Sequence, residues 1–422
     1  MNKSKMSDIV NIISGGTPKT TVSEYWNGTI NWLSIVDFVN KNKYVYSSEK
    51  YITNEGLKNS STNLLKKNDI IISARGTVGA MAMLFKPMTF NQSCFGLRSN
   101  SDILNQDFLF YYLRNYIKYL KVKTQGSVFQ TINLATFDNI DIYYPSIDIQ
   151  KKISKVLSSI DNKIELNNKI NNELEDMAKT IYDYWFLQFE FSNEEGKPYK
   201  SSGGKMVWNE ELKREIPEGW EVNNILNVCD VVDCLHSKKP TYCKEYEDYY
   251  LLTLENLTEK GYIDLSKKYY ISKTDYEIWT SRILVKENDF VVTNAGRAGD
   301  IGKIPYGVKC AIGRNLTAIR PKNINPYYLR QFFKSNYLKE QVLSNLDCGS
   351  FFMSFNVKSI KSLNVLIPNE DIMKKSIDIL KPIILKIENN IVENQELTSL
   401  RDFLLPLLMN GQVGFKEDKA EG

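Results

Sequence analysis

Few residues in this chain could do covalent or metal chemistry, and their spacing narrows the choice further. There is one histidine, His236, in 422 residues. An H-E-x-x-H zinc site needs two imidazoles one helical turn apart, so that chemistry is excluded, and a nucleophile–histidine–carboxylate triad could only be built on His236. Cys229, Cys234, His236 and Cys243 are near enough in sequence to be weighed as metal ligands. Their gaps fit no common zinc pattern, and the six cysteines include no C-x-x-C pair. Small core or surface residues with reduced thiols are the simpler reading, and no metal is expected. A G-x-x-x-x-G-K-[ST] loop is absent, which removes standard P-loop nucleotide chemistry. Asn325-Pro326-Tyr327-Tyr328 lacks the second proline of the Asn-Pro-Pro-Tyr of adenine-methylating enzymes, and it opens a helical pattern, where asparagine caps backbone N–H groups. No residue is therefore expected to be catalytic.

The positioning elements are organised around a stretch that occurs twice. Asp148 to Trp185 and Asp371 to Leu408 each read as a long amphipathic helix. At an offset of 223 residues Pro145 falls on Pro368, and fourteen of the thirty positions 145–174 are identical. Shared periodicity would align apolar residues, but it would not align Lys163-Ile164-Glu165 with Lys386-Ile387-Glu388. The chain is an internal duplication. Ile160, Ile164, Asn167, Asn171 and Leu174 are spaced 4, 3, 4, 3, a heptad seam that Ile383, Ile387, Asn390, Asn394 and Leu397 repeat. Ala178 and Ile181 extend the first seam, Arg401 and Leu404 the second. Helices with matching seams should pack together, their asparagines either fixing register at some cost in stability or lying at a wet edge. Pro382 is expected to kink the second helix or to begin its long segment.

Two stretches sharing one frame surround these helices. In residues 1–145, Ser14–Lys19 is turn chemistry, Ile30–Phe38 and Ile70–Ser73 read as strands, and Gly76-Thr77-Val78-Gly79 reads as a hairpin turn. Asn105 caps a helix carrying Phe108, Leu109, Tyr112 and Leu113, residues 124–130 form a polar loop, and 140–144 read as a strand. The helical pattern holds from about 149 to 186, and the polar, glycine-rich 188–218 reads as a linker. In the second half Asp69-Ile70-Ile71-Ile72-Ser73 returns as Asp289-Phe290-Val291-Val292-Thr293, Gly76 and Gly79 as Gly296 and Gly299, and Asn105 as Asn325. Between these positions the residues diverge: Ser14-Gly15-Gly16 faces Asp233-Cys234-Leu235, and Ala74-Arg75 faces Asn294-Ala295. One frame with two variable surfaces suggests one task performed on two targets.

Composition sets limits on that task. With 42% apolar and 25% charged residues the chain is an ordinary globular protein. No run approaches the roughly eighteen apolar residues of a membrane helix, and the first residues lack a signal peptide's apolar core, so a cytoplasmic location is expected. The net charge of +4 is only weakly basic, so any phosphate-binding surface must come from local clustering or be shared with a partner.

Gly15-Gly16-Thr17-Pro18 with Tyr25-Trp26 and Ile30-Asn31-Trp32, Trp185-Phe186 with Phe189, Ile216-Pro217-Glu218-Gly219-Trp220, and the closing Leu400–Leu408 occur in that order across the two repeats. Together, over nearly the whole chain, they resemble a specificity subunit of a type I restriction-modification system. One departure lies at the helix starts, where the family has Glu-Gln and this chain has Ile149-Gln150 and Ile372-Met373. The change is expected to affect helix-start contacts rather than the assignment.

The resemblance implies an α+β (mixed α/β) fold with two tandem, pseudo-twofold-related target recognition domains, 1–145 and 219–367. Long helices at 146–187 and 368–412 would form an antiparallel coiled coil, with 188–218 as linker and 413–422 as tail, and Pro382 would make the twofold relation approximate. Each domain would read one half of a bipartite, asymmetric target in double-stranded DNA, and the coil would set the spacer. Two methyltransferase subunits would dock on the helices, and restriction/translocase subunits would join through them. S-adenosylmethionine for adenine methylation, ATP and magnesium would sit on those partners and none on this chain. Over 149–186, about 1.5 Å per residue gives a helix of roughly 57 Å, comparable to roughly 17 base pairs at about 3.4 Å each.

Base readout needs Arg, Lys, Asn, Gln or Ser delivered to base edges, and phosphates need cations or free amides. The loops between frame elements supply Lys19, Arg75, Gln125, Ser127 and Gln130 in the first domain. In the second they supply Lys238, Lys239, Arg297, Arg314, Asn315 and Ser350. Tyr44, Tyr46, Tyr51, Tyr269 and Tyr270, beside lysines, either line a DNA surface or pack within the sheet. Two other classes remain open. A self-contained DNA-modifying enzyme is opposed by the missing motifs, whereas a coiled-coil scaffold with two non-DNA binding domains is permitted by the modest charge.

Overall fold

The structure is a computed structural model describing residues 1–39, 42–123, 131–235, 240–243, 248–258, 260–348 and 353–415. It divides into two compact units, Met1–Asn167 with Glu393–Gly422, and Asn168–Val392. Each unit holds one repeat and a part of both long helices.

In the first unit the repeat is carried by a sheet of β1 (Val10–Ser14), β2 (Tyr44–Val45), β3 (Ile70–Ser73), β4 (Met81–Leu84) and β5 (Cys94–Ser99). Its order is β1-β5-β3-β4-β2, antiparallel except for β4 with β2. Every residue of β3 and β4 is buried, because both faces are covered. Ile70, Ile72 and Met83 face α1 (Gln106–Lys123) through Phe108 and Leu109, while Ile71, Ala82 and Leu84 pack with Leu33, Phe38 and Phe90. Asn105 caps α1, its Oδ1 accepting the Phe108 N–H at 3.0 Å. The strand expected over Ile30–Phe38 is displaced: it spans Trp26–Leu33, and a Ser34/Asp37 capping box then turns Ile35–Asp37 into a 3₁₀ turn.

The second unit repeats this frame with β6 (Cys229–Asp233), β7 (Phe290–Thr293), β8 (Ile301–Lys303) and β9 (Leu316–Pro321), ordered β6-β9-β7-β8. The register is preserved, Ile70 opposite Leu97 and Phe290 opposite Ile319. So is a buried anchor at each sheet's edge. Arg98 donates to both Asp69 oxygens at 2.8 and 2.5 Å, and Arg320 to both Asp289 oxygens at 2.9 and 2.6 Å. The single helix α1 has become two, α2 (Pro326–Lys334) and α3 (Asn336–Ser344), because Ser335 caps the second by accepting the Leu338 N–H at 3.2 Å. Residues 188–218 hold a hairpin, Met206–Asn209 with Arg214–Pro217, and bury Phe189 and Phe191 against Trp220. Three isolated aromatics anchor a stretch whose composition suggests no structure.

The first long helix runs from Ile147 to Tyr182 and ends in a π turn, Asp183–Leu187, that places Phe186 in the core of the second unit. The second runs unbroken from Glu370 to Met409, so Pro382 does not begin it. Proline there removes one backbone hydrogen bond, and the buried neighbours Leu380, Ile383 and Ile384 hold the turn in place. Within each unit the two helices run antiparallel, Asp161 opposite Arg401 and Asn167 opposite Asn394 in the first, Asn171 opposite Asn390 in the second. Three of the four asparagines lie away from a wet edge, Asn171 buried and Asn167 and Asn390 1% exposed, while Asn394 is half-buried. They pair crosswise between the copies, Asn167 Nδ2 donating to Asn394 Oδ1 at 2.9 Å and Asn390 Nδ2 to Asn171 Oδ1 at 2.7 Å. A buried amide left unpaired costs about 1–3 kcal/mol, so these contacts disfavour any slip of the seam. At the helix starts, Gln150 accepts the Asn105 N–H at 2.8 Å and donates to the Ile103 and Pro145 carbonyls, whereas its counterpart Met373 packs on the second unit's core.

Candidate nucleic-acid interface

Each unit gathers its loops where the strand before the hairpin ends. In the first, Ser73 closes the turn between β3 and β4, its Oγ accepting the Ala80 N–H at 2.9 Å and donating to the Thr77 carbonyl. Gly79 has φ +78°, and a Cβ there would lie 2.9 Å from Ile117, so the turn rests directly on α1. Ala74 N–H donates to the Ser93 carbonyl at 2.8 Å, and the Ala74 carbonyl accepts the Ile132 N–H at 2.9 Å. Gly16 is tied in by its N–H to Phe90 at 3.0 Å and by its carbonyl, which accepts the Trp32 indole N–H at 3.0 Å. Thr17 then donates to Gln92. The 15–19 loop, the 74–79 hairpin, the 91–93 turn and the segment resuming at Thr131 thus form one cluster.

The second unit builds the hairpin part of this cluster with the same bonds. Thr293 Oγ1 accepts the Asp300 N–H at 3.0 Å and donates to the Arg297 carbonyl, and Gly299, at φ +89°, lies against Val342. Asn294 N–H donates to the Asn315 carbonyl at 2.8 Å, and its own carbonyl accepts the Phe355 N–H at 2.8 Å. The Asn294 side chain fills the buried junction, Nδ2 donating to the Phe355 carbonyl at 3.0 Å and Oδ1 accepting from Thr317 at 3.0 Å.

The candidate contacts fall on this frame unequally. Arg75 is exposed on the first hairpin, Lys19 is exposed on the neighbouring loop, and Arg314 and Asn315 are exposed on the second unit's 313–315 turn, Asn315 at φ +63°. Arg297 is committed to its own fold: its guanidinium donates to the Leu254 carbonyl at 3.0 Å and to that of Leu257, and pairs with Asp300 at 3.3 Å. Gln125, Ser127, Gln130, Lys238, Lys239 and Ser350, like His236, lie outside the described residues. Sequence reasoning passed over Gln92 and Ser93, although they occupy the positions of Arg314 and Asn315. The signal was the repeat itself, since Leu97 and Ile319 share a register and counting back from them pairs the two turns.

Residues 1–176 and 217–399 match the family of the type I restriction modification DNA specificity domain. The chain belongs to this family. It is 27% identical over 421 residues to the type I restriction enzyme MjaIX specificity subunit of Methanocaldococcus jannaschii, covering 98% of this chain and 93% of that protein. The MjaVIII specificity subunit of the same organism is 24% identical over 423 residues, with 98% and 92% covered. The crystal structure of a type I restriction-modification system S subunit from M. genitalium shares the fold, with a TM-score of 0.56 at 16% identity over 96% of this chain and 95% of that one. As a type I specificity subunit the chain has two tandem recognition domains, and it is a non-catalytic, DNA-recognising component of a restriction-modification system. The scaffold alternative is not favoured.

Other features of the specificity subunit are structural or peripheral to the loop clusters. Tyr46 and Phe85 form an exposed aromatic pair 4.8 Å apart, with Lys67 5.4 Å from the Phe85 ring, while burial pushes the half-buried Tyr44 phenol up to about 12. Tyr269 and Lys267 both bond Glu255 and hold its carboxyl below the usual range. Cys94 and Cys229 are buried thiols pushed up to about 12 by burial. Among the described residues, no three His, Cys, Asp or Glu side chains gather as a metal site, and no helix is long and apolar enough to cross a membrane.

Proposed function

We propose that this specificity subunit reads a bipartite, asymmetric sequence in double-stranded DNA, each unit's loop cluster contacting one half. The observation that carries the reading is the constancy of the frame under changing side chains. The same backbone bonds hold both hairpins to their facing turns, while Ala74-Arg75 gives way to Asn294-Ala295 and Gln92-Ser93 to Arg314-Asn315. Base readout requires donors and acceptors that can be exchanged on a rigid support. Lys19, Arg75 and Arg314 supply the local positive charge that the modest overall charge lacks. The long helices set the spacer and dock two methyltransferase subunits, restriction/translocase subunits join through them, and the assembly works in the cytoplasm. S-adenosylmethionine, ATP and magnesium belong to those partners.

The test is a map of methylated adenines in cells carrying the full complex, before and after residues 1–145 are exchanged for those of another specificity subunit. One half-site is expected to change while the other half and the spacer persist. A motif left unchanged, or altered in both halves, refutes the proposal.

A further inference from the structure

The sheet of the first unit has a second end that the loop cluster does not use. The hairpin joins β3 to β4 at one end, and β4 carries the chain roughly 13 Å away from it, at about 3.3 Å per residue, to Phe85. Strand β2 runs parallel to β4, Val45 beside Leu84, and delivers Tyr46 to the same corner. The backbone there is fixed. Phe85 N–H donates to the Val45 carbonyl at 3.2 Å, and Asn68, at φ +69°, donates its N–H to the Leu84 carbonyl at 2.8 Å. Tyr46 is 42% and Phe85 48% exposed, and the half-buried Tyr44 stands 6.4 Å from both rings.

Three exposed lysines stand on the same segments, Lys66 and Lys67 before Asn68 and Lys86 after Phe85, with Lys67 Nζ 5.4 Å from the Phe85 ring. Among the described residues none of the three is in an ion pair. The nearby carboxylates Asp69 and Asp107 are taken by Arg98 at 2.5 Å and Lys43 at 2.6 Å, which leaves Glu165, acting on the Tyr44 phenol, against three free cations. The second unit keeps the backbone and drops the rest. Asn288, also at φ +69°, donates to the Ile304 carbonyl at 3.1 Å, but Pro305 replaces Phe85, Glu287 replaces Lys67 and Tyr306 replaces Lys86. The fold therefore does not demand the rings. Exposed rings beside free cations suit a ligand with flat apolar faces and repeated negative charge. A nucleic-acid strand has both, but a duplex keeps its base faces stacked inside, so only a single strand can lay them on a side chain.

We propose that this corner of the first unit binds single-stranded nucleic acid, with bases stacking on Tyr46 and Phe85 and phosphates meeting Lys66, Lys67 and Lys86. The site occurs once per chain and is independent of the duplex reading assigned to the loop clusters.

The experiment is fluorescence anisotropy of a labelled oligothymidylate of about 15 nucleotides, and of the matching oligouridylate, titrated with the full chain co-expressed with its methyltransferase subunit. Either strand should bind, and the tighter one identifies the natural ligand as DNA or RNA. Tyr46→Ala with Phe85→Ala should weaken that binding at least about tenfold, because two stacking surfaces are lost. Lys67→Gln with Lys86→Gln should flatten the fall of log affinity with log salt by about 1.4, the share of two phosphates on a single strand. All four changes sit on exposed side chains, unchanged thermal melting verifies folding, and binding of target duplex should stay as in the parent. If the unaltered chain binds neither strand, or the ring variant binds both as the parent does, the proposal is overturned and the duplex reading stands. If the ring variant loses duplex and single strand together, the corner belongs to duplex reading, and if it loses a partner subunit instead, the corner is a protein surface; the proposal fails in both cases.

Discussion

Arg401 is the charged side chain on a seam otherwise made of apolar residues and amides, and its removal has a cost that can be worked out. It donates to Asp161 at 2.7 Å, with the two side chains 9% and 6% exposed. Arg401→Ala leaves the Asp161 carboxylate with the Tyr111 hydroxyl at 2.7 Å and Arg114 at 3.7 Å. Stripping one partner from a buried pair costs about 3–5 kcal/mol. The two surviving contacts offset part of that, so a loss of about 2–4 kcal/mol is expected. The other half of the seam supplies the apolar replacement, because Ile384 and Ala178 stand at the counterparts of Asp161 and Arg401 and are both fully buried. Asp161→Ile with Arg401→Ala, and Tyr111→Phe to remove the phenol that would lose its acceptor, should return stability to within about 1 kcal/mol of the parent. In a thermal melt the single variant should lower the first unit's transition by about 10 °C, and the triple variant by about 3 °C or less. A single variant that melts with the parent, or a triple variant as unstable as the single, refutes the equivalence of the two halves.

Two further outcomes follow from the sites described. Burial, helped by the neighbouring Arg330 and opposed by Glu175, pushes Lys334 down to about 8 from 10.5. Between those values the unfolded chain binds the proton that the folded one has lost, so the second unit gains stability as pH rises from 8 towards 9.5, by on the order of 1–3 kcal/mol. The gain should vanish in Lys334→Met, as read from denaturant midpoints at each pH. Arg75→Ala is expected to leave the melting temperature unchanged and weaken specific DNA binding of the complex about tenfold. Arg297→Ala should instead cost about 1–3 kcal/mol of second-unit stability by freeing the Leu254 and Leu257 carbonyls, and equal effects of the two changes on stability would contradict their assigned roles.

The duplication, the seam and the cap at Asn105 were legible because they are periodic or local. Asn325 was legible twice over, as a cap and as the image of Asn105. The hairpin at Gly76–Gly79 showed itself by glycine spacing, since only a positive φ lets the turn lie on Ile117. What stayed hidden depends on residues distant in sequence. Arg297 and Arg75 look alike as loop arginines, and only the approach of the 254–257 carbonyls separates a brace from a free cation. Asn167 and Asn390 gave no sign of whether they met water or a partner asparagine until the antiparallel seam buried both.

The crosswise asparagines and the Asp161–Arg401 ion pair bear differently on how a doubled gene can be reshuffled. Asn167 meets the counterpart of Asn171, and Asn171 meets the counterpart of Asn167, so two copies of either half alone would form both contacts. The ion pair permits no such freedom. Two first halves would set Asp161 against Ala178, and two second halves would set Arg401 against Ile384, each stranding a pair of charges in a dry seam. Halves that began as interchangeable are thereby committed to unlike partners, and recombination can trade one set of recognition loops for another without disturbing that commitment, provided the crossovers spare the helices.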